Sequence, residues 1–219
     1  MKIAVFAGTP VDVKMGEDIL IASGYSTLGF PMSKNPMEQT KIQYYGKDKL
    51  EEIFKSKLVK AKSQGAKLVF IYCNSLSAAI DYKEICKDEN IPVVTPFEIY
   101  ENLDEKYVNI AIIAANAISA YVIDRLLNEK KFRNTISFGN LNIVNEIEKA
   151  LPPMEIIDKL NLKYFLSYLE GINSPYKIDC ILLGCTHFPY LKTELKKLTY
   201  LNIIDPADKM VELVKERTK

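Results

Sequence analysis

The sequence has no surplus of either charge: 29 Lys and Arg stand against 28 Asp and Glu, a formal net charge of +1. Nothing in that balance gathers phosphate or anionic lipid, so nucleic-acid and membrane partners are not expected. Long hydrophobic runs are missing too. The longest, from Ile110 to Ile123, is broken by Asn116 and Ser119 and followed by Asp124 and Arg125, which excludes a membrane span there. At the N-terminus only five apolar residues, Ile3 to Ala7, follow Met1-Lys2, too few for a signal-peptide core, so a cytoplasmic location is expected. Cysteines number four and histidine one. In a reducing compartment four cysteines read as buried hydrophobes or reactive thiols rather than a disulfide framework. Zinc wants about four convergent ligands. One histidine, with Cys180 and Cys185 pointing to opposite faces of one strand, does not supply them, and no metal is expected. Neither GxGxxG nor GxxxxGK[ST] occurs, so nucleotide cofactors have no motif behind them. What is present is apolar material: 219 residues, 48% of them hydrophobic, suffice for the cores of one or two soluble domains.

Short β-rich runs alternate with stretches of helical period, the pattern of parallel sheets flanked by helices. Strands are expected at Lys2 to Ala7, Tyr25 to Pro31, Leu68 to Tyr72 and Val93-Val94. Helices are expected near Lys14 to Ser23, over Asp48 to Gln64 with a stop at Gly65, and from Cys73 to about Lys87. Met32 to Gly46 shows little periodicity and reads as a loop. After a polar connection at Glu101 to Lys106 the alternation resumes, with strands at Ile110 to Ala114, Thr135 to Phe138, Cys180 to Gly184 and Asn202 to Ile204. Helices lie between them, including a long helical stretch up to Gly171.

The chain also aligns with itself. Lys2 to Thr9 matches Asn109 to Asn116, and Leu68 to Ser75 matches Cys180 to His187. Two similar α/β lobes are therefore expected, one of residues 1–98 plus 203–219 and one of 99–202. In each lobe a cysteine, Cys73 or Cys185, falls at the carboxyl tip of an apolar strand where a helix is due to begin, the edge at which open parallel sheets bind ligands. Cys86 and Cys180, by contrast, fall within a helix and a strand and read as core.

Backbone N–H groups at a helix start favour a nearby anion, which suits both sulfurs to act as bases. Two such groups on opposite faces of a substrate carbon are what stereochemical inversion requires: one removes the proton and the other returns it. A thiol with pKa near ~8.5 facing a carbon acid about a dozen units weaker leaves a gap of roughly 16 kcal/mol. Donors around the substrate carboxylate must close it, and Asn74, Ser75 and Thr186 are placed for that anion cradle. A cysteine hydrolase built on Cys185 and His187 is the weaker alternative, since it leaves Cys73 without a role.

The run Leu182-Leu183-Gly184-Cys185-Thr186-His187-Phe188-Pro189 resembles the second catalytic-cysteine motif of cofactor-independent glutamate racemases in the aspartate/glutamate racemase family. Cys73-Asn74-Ser75 is similar to the first such motif, Tyr45-Gly46 to a carboxylate-binding turn, and Ile204-Asp205-Pro206-Ala207 to the closing strand-to-helix motif. The resemblance implies two pseudo-symmetric α/β lobes with parallel sheets and the active site between the lobes, no pyridoxal phosphate or other cofactor, and Cys73 and Cys185 as the bases with His187 tuning Cys185. Substrate contacts would come from Gly8, Thr9, Tyr45, Gly46, Asn74, Ser75, Asn116 and Thr186. Where glutamate racemases carry an Asp-Ser pair after the first strand this chain has Ala7-Gly8, and where they carry two threonines it has Ala115 and Ile118. Asp12, Asn116 and Ser119 are the nearby candidates to stand in for them. The expected function is amino-acid racemisation, with glutamate favoured and aspartate next. The alternatives are a dicarboxylate lyase or cis–trans isomerase of the same fold, or a non-catalytic amino-acid-binding homologue. A small-molecule substrate, an amino acid or dicarboxylate, is the partner expected, and a homodimer is the one assembly left open.

Overall fold

The computed structural model describes residues 1–42, 44 and 46–218. The chain divides into two compact α/β units, Met1–Glu98 with Ala207–Lys219, and Ile99–Pro206.

The first unit begins with β1 (Lys2–Ala7), α1 (Pro10–Ala22), β2 (Ser26–Pro31), α2 (Pro36–Ile42), α3 (Lys47–Ser63) and β3 (Ala66–Ile71). It continues with α4 (Asn74–Ala79), α5 (Tyr82–Asp88), β4 (Val93–Val94) and α6 (Pro96–Glu101). Its sheet is parallel with strand order β2-β1-β3-β4. Ile3 to Ala7 and Leu68 to Ile71 are wholly shielded from solvent, as expected of central strands covered by helices on both faces. Phe6 stacks on Phe30 and meets Phe54 of α3 at 4.6 Å between ring centres. That helix buries Leu50, Phe54, Leu58 and Ala61 along one stripe. Gly65 follows it with φ +90°, a left-handed conformation that glycine adopts without steric cost.

The second unit contains β5 (Asn109–Ala114), α7 (Ala117–Asn128), β6 (Asn134–Gly139), α8 (Leu141–Glu148), α9 (Pro153–Lys159) and α10 (Leu162–Glu170). Then come β7 (Cys180–Gly184), a 3₁₀ turn (Phe188–Leu191), α11 (Lys192–Leu198) and β8 (Asn202–Ile204), and α12 (Pro206–Arg217) carries the chain back to the first unit. The order β6-β5-β7-β8, again parallel, repeats that of the first sheet strand for strand. β8 pairs with β7, so the second unit extends through Pro206 rather than ending at residue 202 as expected.

Three local expectations are corrected. Residues 36–42 form a helix rather than loop. Asn35 Oδ1 accepts from Glu38 N at 2.9 Å, Pro36 occupies the first turn, and Glu38 Oε2 reaches back to Lys34 N at 2.7 Å. The helix expected from Cys73 to Lys87 is two, because Ile80 is extended (φ −131°, ψ 155°) and Asp81 caps a new start by accepting from Glu84 N. The stretch up to Gly171 is likewise divided at Asn161, whose φ of 54° no helix interior accommodates.

Burial pushes the Cys86 and Cys180 thiols up to about 12, with Glu89 adding to the effect at Cys86 and Asp179 at Cys180. The folded state therefore holds these protons while the unfolded chain loses them above about pH 8.5. Stability is expected to fall by about 1.4 kcal/mol per pH unit for each thiol between that pH and 12. Urea unfolding at stepped pH checks this, and Cys86→Ala with Cys180→Ala should flatten the slope over that window.

Candidate active site

A strand buried on both faces has no room for polar chemistry along its length, so such chemistry comes at the tip. In the first unit Tyr72 N donates to Phe6 O at 2.8 Å, extending the β3 pairing by one residue and delivering Cys73 to the sheet edge. Cys73 caps α4: its Sγ accepts from Leu76 N at 3.4 Å, and its carbonyl accepts from Ser77 Oγ at 2.8 Å. The sulfur also accepts from Gln39 Nε2 of α2 at 3.3 Å. A small cleft opens beside it, lined by Gly8, Met32, Gln39, Leu50, Cys73, Ser75, Leu76 and Ala79. Thr9 caps α1 by accepting from Asp12 N at 3.2 Å, and the buried Asp12 carboxylate accepts from Gly8 N at 3.2 Å. Gly46 precedes α3. Tyr45 lies outside the described residues.

The second unit repeats the plan with different chemistry. Gly184 pairs with Ala114, which brings Cys185 and Asn116 to neighbouring strand tips. Asn116 caps α7, its Oδ1 accepting from Ser119 N at 2.9 Å, the counterpart of Thr9 and Asp12 in the first unit. A Cβ at Gly139 would come within 2.5 Å of the Asn116 carbonyl carbon, so the end of β6 must be glycine for this turn to pack. Cys185 opens a turn rather than a regular helix, with Phe188 N donating to its carbonyl at 3.1 Å. Its Sγ lies 3.8 Å from His187 Nδ1, and His187 Nε2 lies 3.0 Å from Glu148 Oε1 at the end of α8. Cys185, Thr186 and His187 are all buried. A carboxylate accepts only, so His187 Nε2–H donates to Glu148, which leaves Nδ1 facing the sulfur. Lys192 Nζ reaches Asp205 Oδ2 at 3.0 Å, fixing the strand-to-helix turn after β8.

The expected site residues thus fall into two sets, one per unit: Gly8, Thr9, Gly46, Cys73, Asn74 and Ser75, and Asn116, Cys185, Thr186 and His187. Sequence reading overlooked Gln39 and Glu148. The former lies in the helix read as loop, although Asn35-Pro36-Met37-Glu38 carries a recognisable start signal. The latter is separated from His187 by 39 residues, and no local pattern links them. Among the described residues no cluster of three or more His, Cys, Asp and Glu is arranged to hold a metal ion. No helix there is long and apolar enough to cross a membrane.

Fold and thiols define a duplicated α/β protein with one cysteine at the matching strand tip of each half. No protein-family model matches the chain. A glutamate racemase from Buchnera aphidicola is 29% identical over 182 residues, covering 78% of this chain and 70% of that protein. A second, from Fusobacterium nucleatum, is 30% identical over 159 residues but is spanned over only 54% of its length. Among solved structures, an aspartate racemase homologue from Pyrococcus horikoshii shares the fold with a TM-score of 0.66 at 16% identity, covering 100% of this chain and 99% of that one. The chain is thus similar in sequence to glutamate racemases and shares the fold of solved racemase structures.

Replacing Glu148 by Ala removes a hydrogen bond from a histidine that is 1% exposed. A loss of about 1–3 kcal/mol in unfolding free energy is expected, measured by urea denaturation, with Glu148→Gln losing less because its amide oxygen still accepts.

Proposed function

We propose that the protein is a cofactor-independent amino-acid racemase in which Cys73 and Cys185 are the two bases, with glutamate the favoured substrate and aspartate the next. The observation that carries the reading is the recurrence of a cysteine, one or two residues past the strand end, at the matching position of both sheets. A lone cysteine at a strand tip has many explanations; a matched pair is what inversion at carbon demands. Relatives named as glutamate racemases support the reaction and the first substrate. The end-to-end match to an aspartate racemase homologue supports the second.

In this mechanism a thiolate takes the α-proton, leaving the bonding electron pair on carbon, and the opposite thiol donates its proton to the other face. The enzyme ends with the two sulfurs in exchanged states, and the reverse reaction restores them. Donors that bind the substrate carboxylate spread the developing charge. Asn74 and Ser75 beside Cys73, Thr186 beside Cys185, and the turns at Gly8-Thr9, Tyr45-Gly46 and Asn116 are assigned to that task. His187, oriented by Glu148, exchanges a proton with Cys185.

Incubating enantiopure L- and D-glutamate and aspartate in heavy water tests the reading, with optical rotation and α-deuterium followed together. Racemisation with deuterium incorporation is expected for at least one pair. Cys73→Ser and Cys185→Ser should each lower turnover at least about 100-fold. Stabilisation by ligand without exchange or turnover would overturn the proposal in favour of a binding protein, and full activity in either single variant would exclude the two-base assignment.

A further inference from the structure

Gly8 and Gln39 meet at the Cys73 sulfur in a way the racemase reading does not by itself require. A Cβ built on Gly8 would fall on the side-chain amide of Gln39, so that amide fills the volume a side chain at position 8 would take. From there its Nε2 donates to Cys73 Sγ at 3.3 Å, while Leu76 N donates to the same atom at 3.4 Å. Two N–H donors converging on one sulfur stabilise its anion over its protonated form. Cys73 is the one titratable group among the described residues lining the cleft. Ionisable groups on the surrounding elements make hydrogen bonds of their own: Asp12 on α1 with Gly8 N, Glu38 on α2 with Lys34 N, and Glu51 on α3 with Asp81 N. Lys41 lies on the exposed side of α2. The half-buried Gln39 is carried by a short helix whose start is fixed by Asn35 and Glu38, and Ser33 ties the preceding turn to Gly8 O at 2.7 Å.

We propose that Gln39 is a positioning residue for Cys73, seated in the space left by the missing side chain of Gly8, and that its amide N–H holds the sulfur in the deprotonated form a proton-abstracting base needs. The assignment rests on the racemase reading for its purpose, but the state of the sulfur is measurable without turnover.

The test follows iodoacetamide labelling of Cys73 in the intact protein against pH, by peptide mass spectrometry. Losing the donor in Gln39→Leu is expected to raise the pH midpoint by about one to two units. The near-isosteric Gln39→Glu should raise it at least as far, since it sets a negative charge beside the sulfur. Gly8→Ala, which only has to displace the flexible end of Gln39, should reproduce the Gln39→Leu shift, yet add nothing when combined with it. An unchanged midpoint in Gln39→Leu, or a full Gly8→Ala shift persisting in the double variant, would overturn the proposal. Midpoints that move as expected while the wild type shows no α-proton exchange would leave Gln39 assigned and remove the racemase reading instead.

Discussion

A parallel strand covered on both faces tolerates only apolar side chains between its ends, and that constraint governs the rest of this molecule. β1, β3, β5 and β7 are sealed almost completely, so every group able to bind or react collects where their chains emerge. The turns after β1 and β5 are closed by Thr9 and Asn116, those after β3 and β7 begin with Cys73 and Cys185. Duplication repeats the constraint, and with it the location of a thiol.

The two tips have nonetheless diverged. Cys73 sits at a helix cap and accepts hydrogen bonds from a backbone amide and from Gln39. Cys185 sits in a turn beside a buried imidazole backed by a carboxylate. The hydrogen bonds of the first arrangement stabilise a charge through dipoles; the second includes a group that can itself gain or lose a proton. Cys86 and Cys180 have their thiols pushed up to about 12 by burial, with Glu89 and Asp179 adding to it. Four thiols in one chain thus occupy three electrostatic environments, set by what each strand or helix places next to sulfur.

Much of this was legible from the sequence because the informative signals were local or periodic. Apolar runs such as Leu68 to Tyr72 marked central strands, the stripe from Leu50 to Ala61 marked α3, and the self-alignment marked two similar lobes with a cysteine at the matching strand tip of each. Gly65 ended its helix as read. Harder to see was what depends on contacts between distant segments. Glu148 meets His187 only because α8 packs near the end of β7, and the division of a helix at Ile80-Asp81 is one cap against another. The α2 error was of a different kind. Seven residues hold too little periodicity to register, and its capping residues were the better guide.

The first unit is not one stretch of chain. It breaks off at Glu98 and resumes at Ala207, where α12 supplies Arg217 to the Glu98 carboxylate and the Val93 carbonyl. The inserted unit, by contrast, is continuous from Ile99 to Pro206. During synthesis the chain is made from its N-terminus, so the half begun first is the half finished last. The inserted half is complete while its older neighbour still lacks its closing helix on the ribosome.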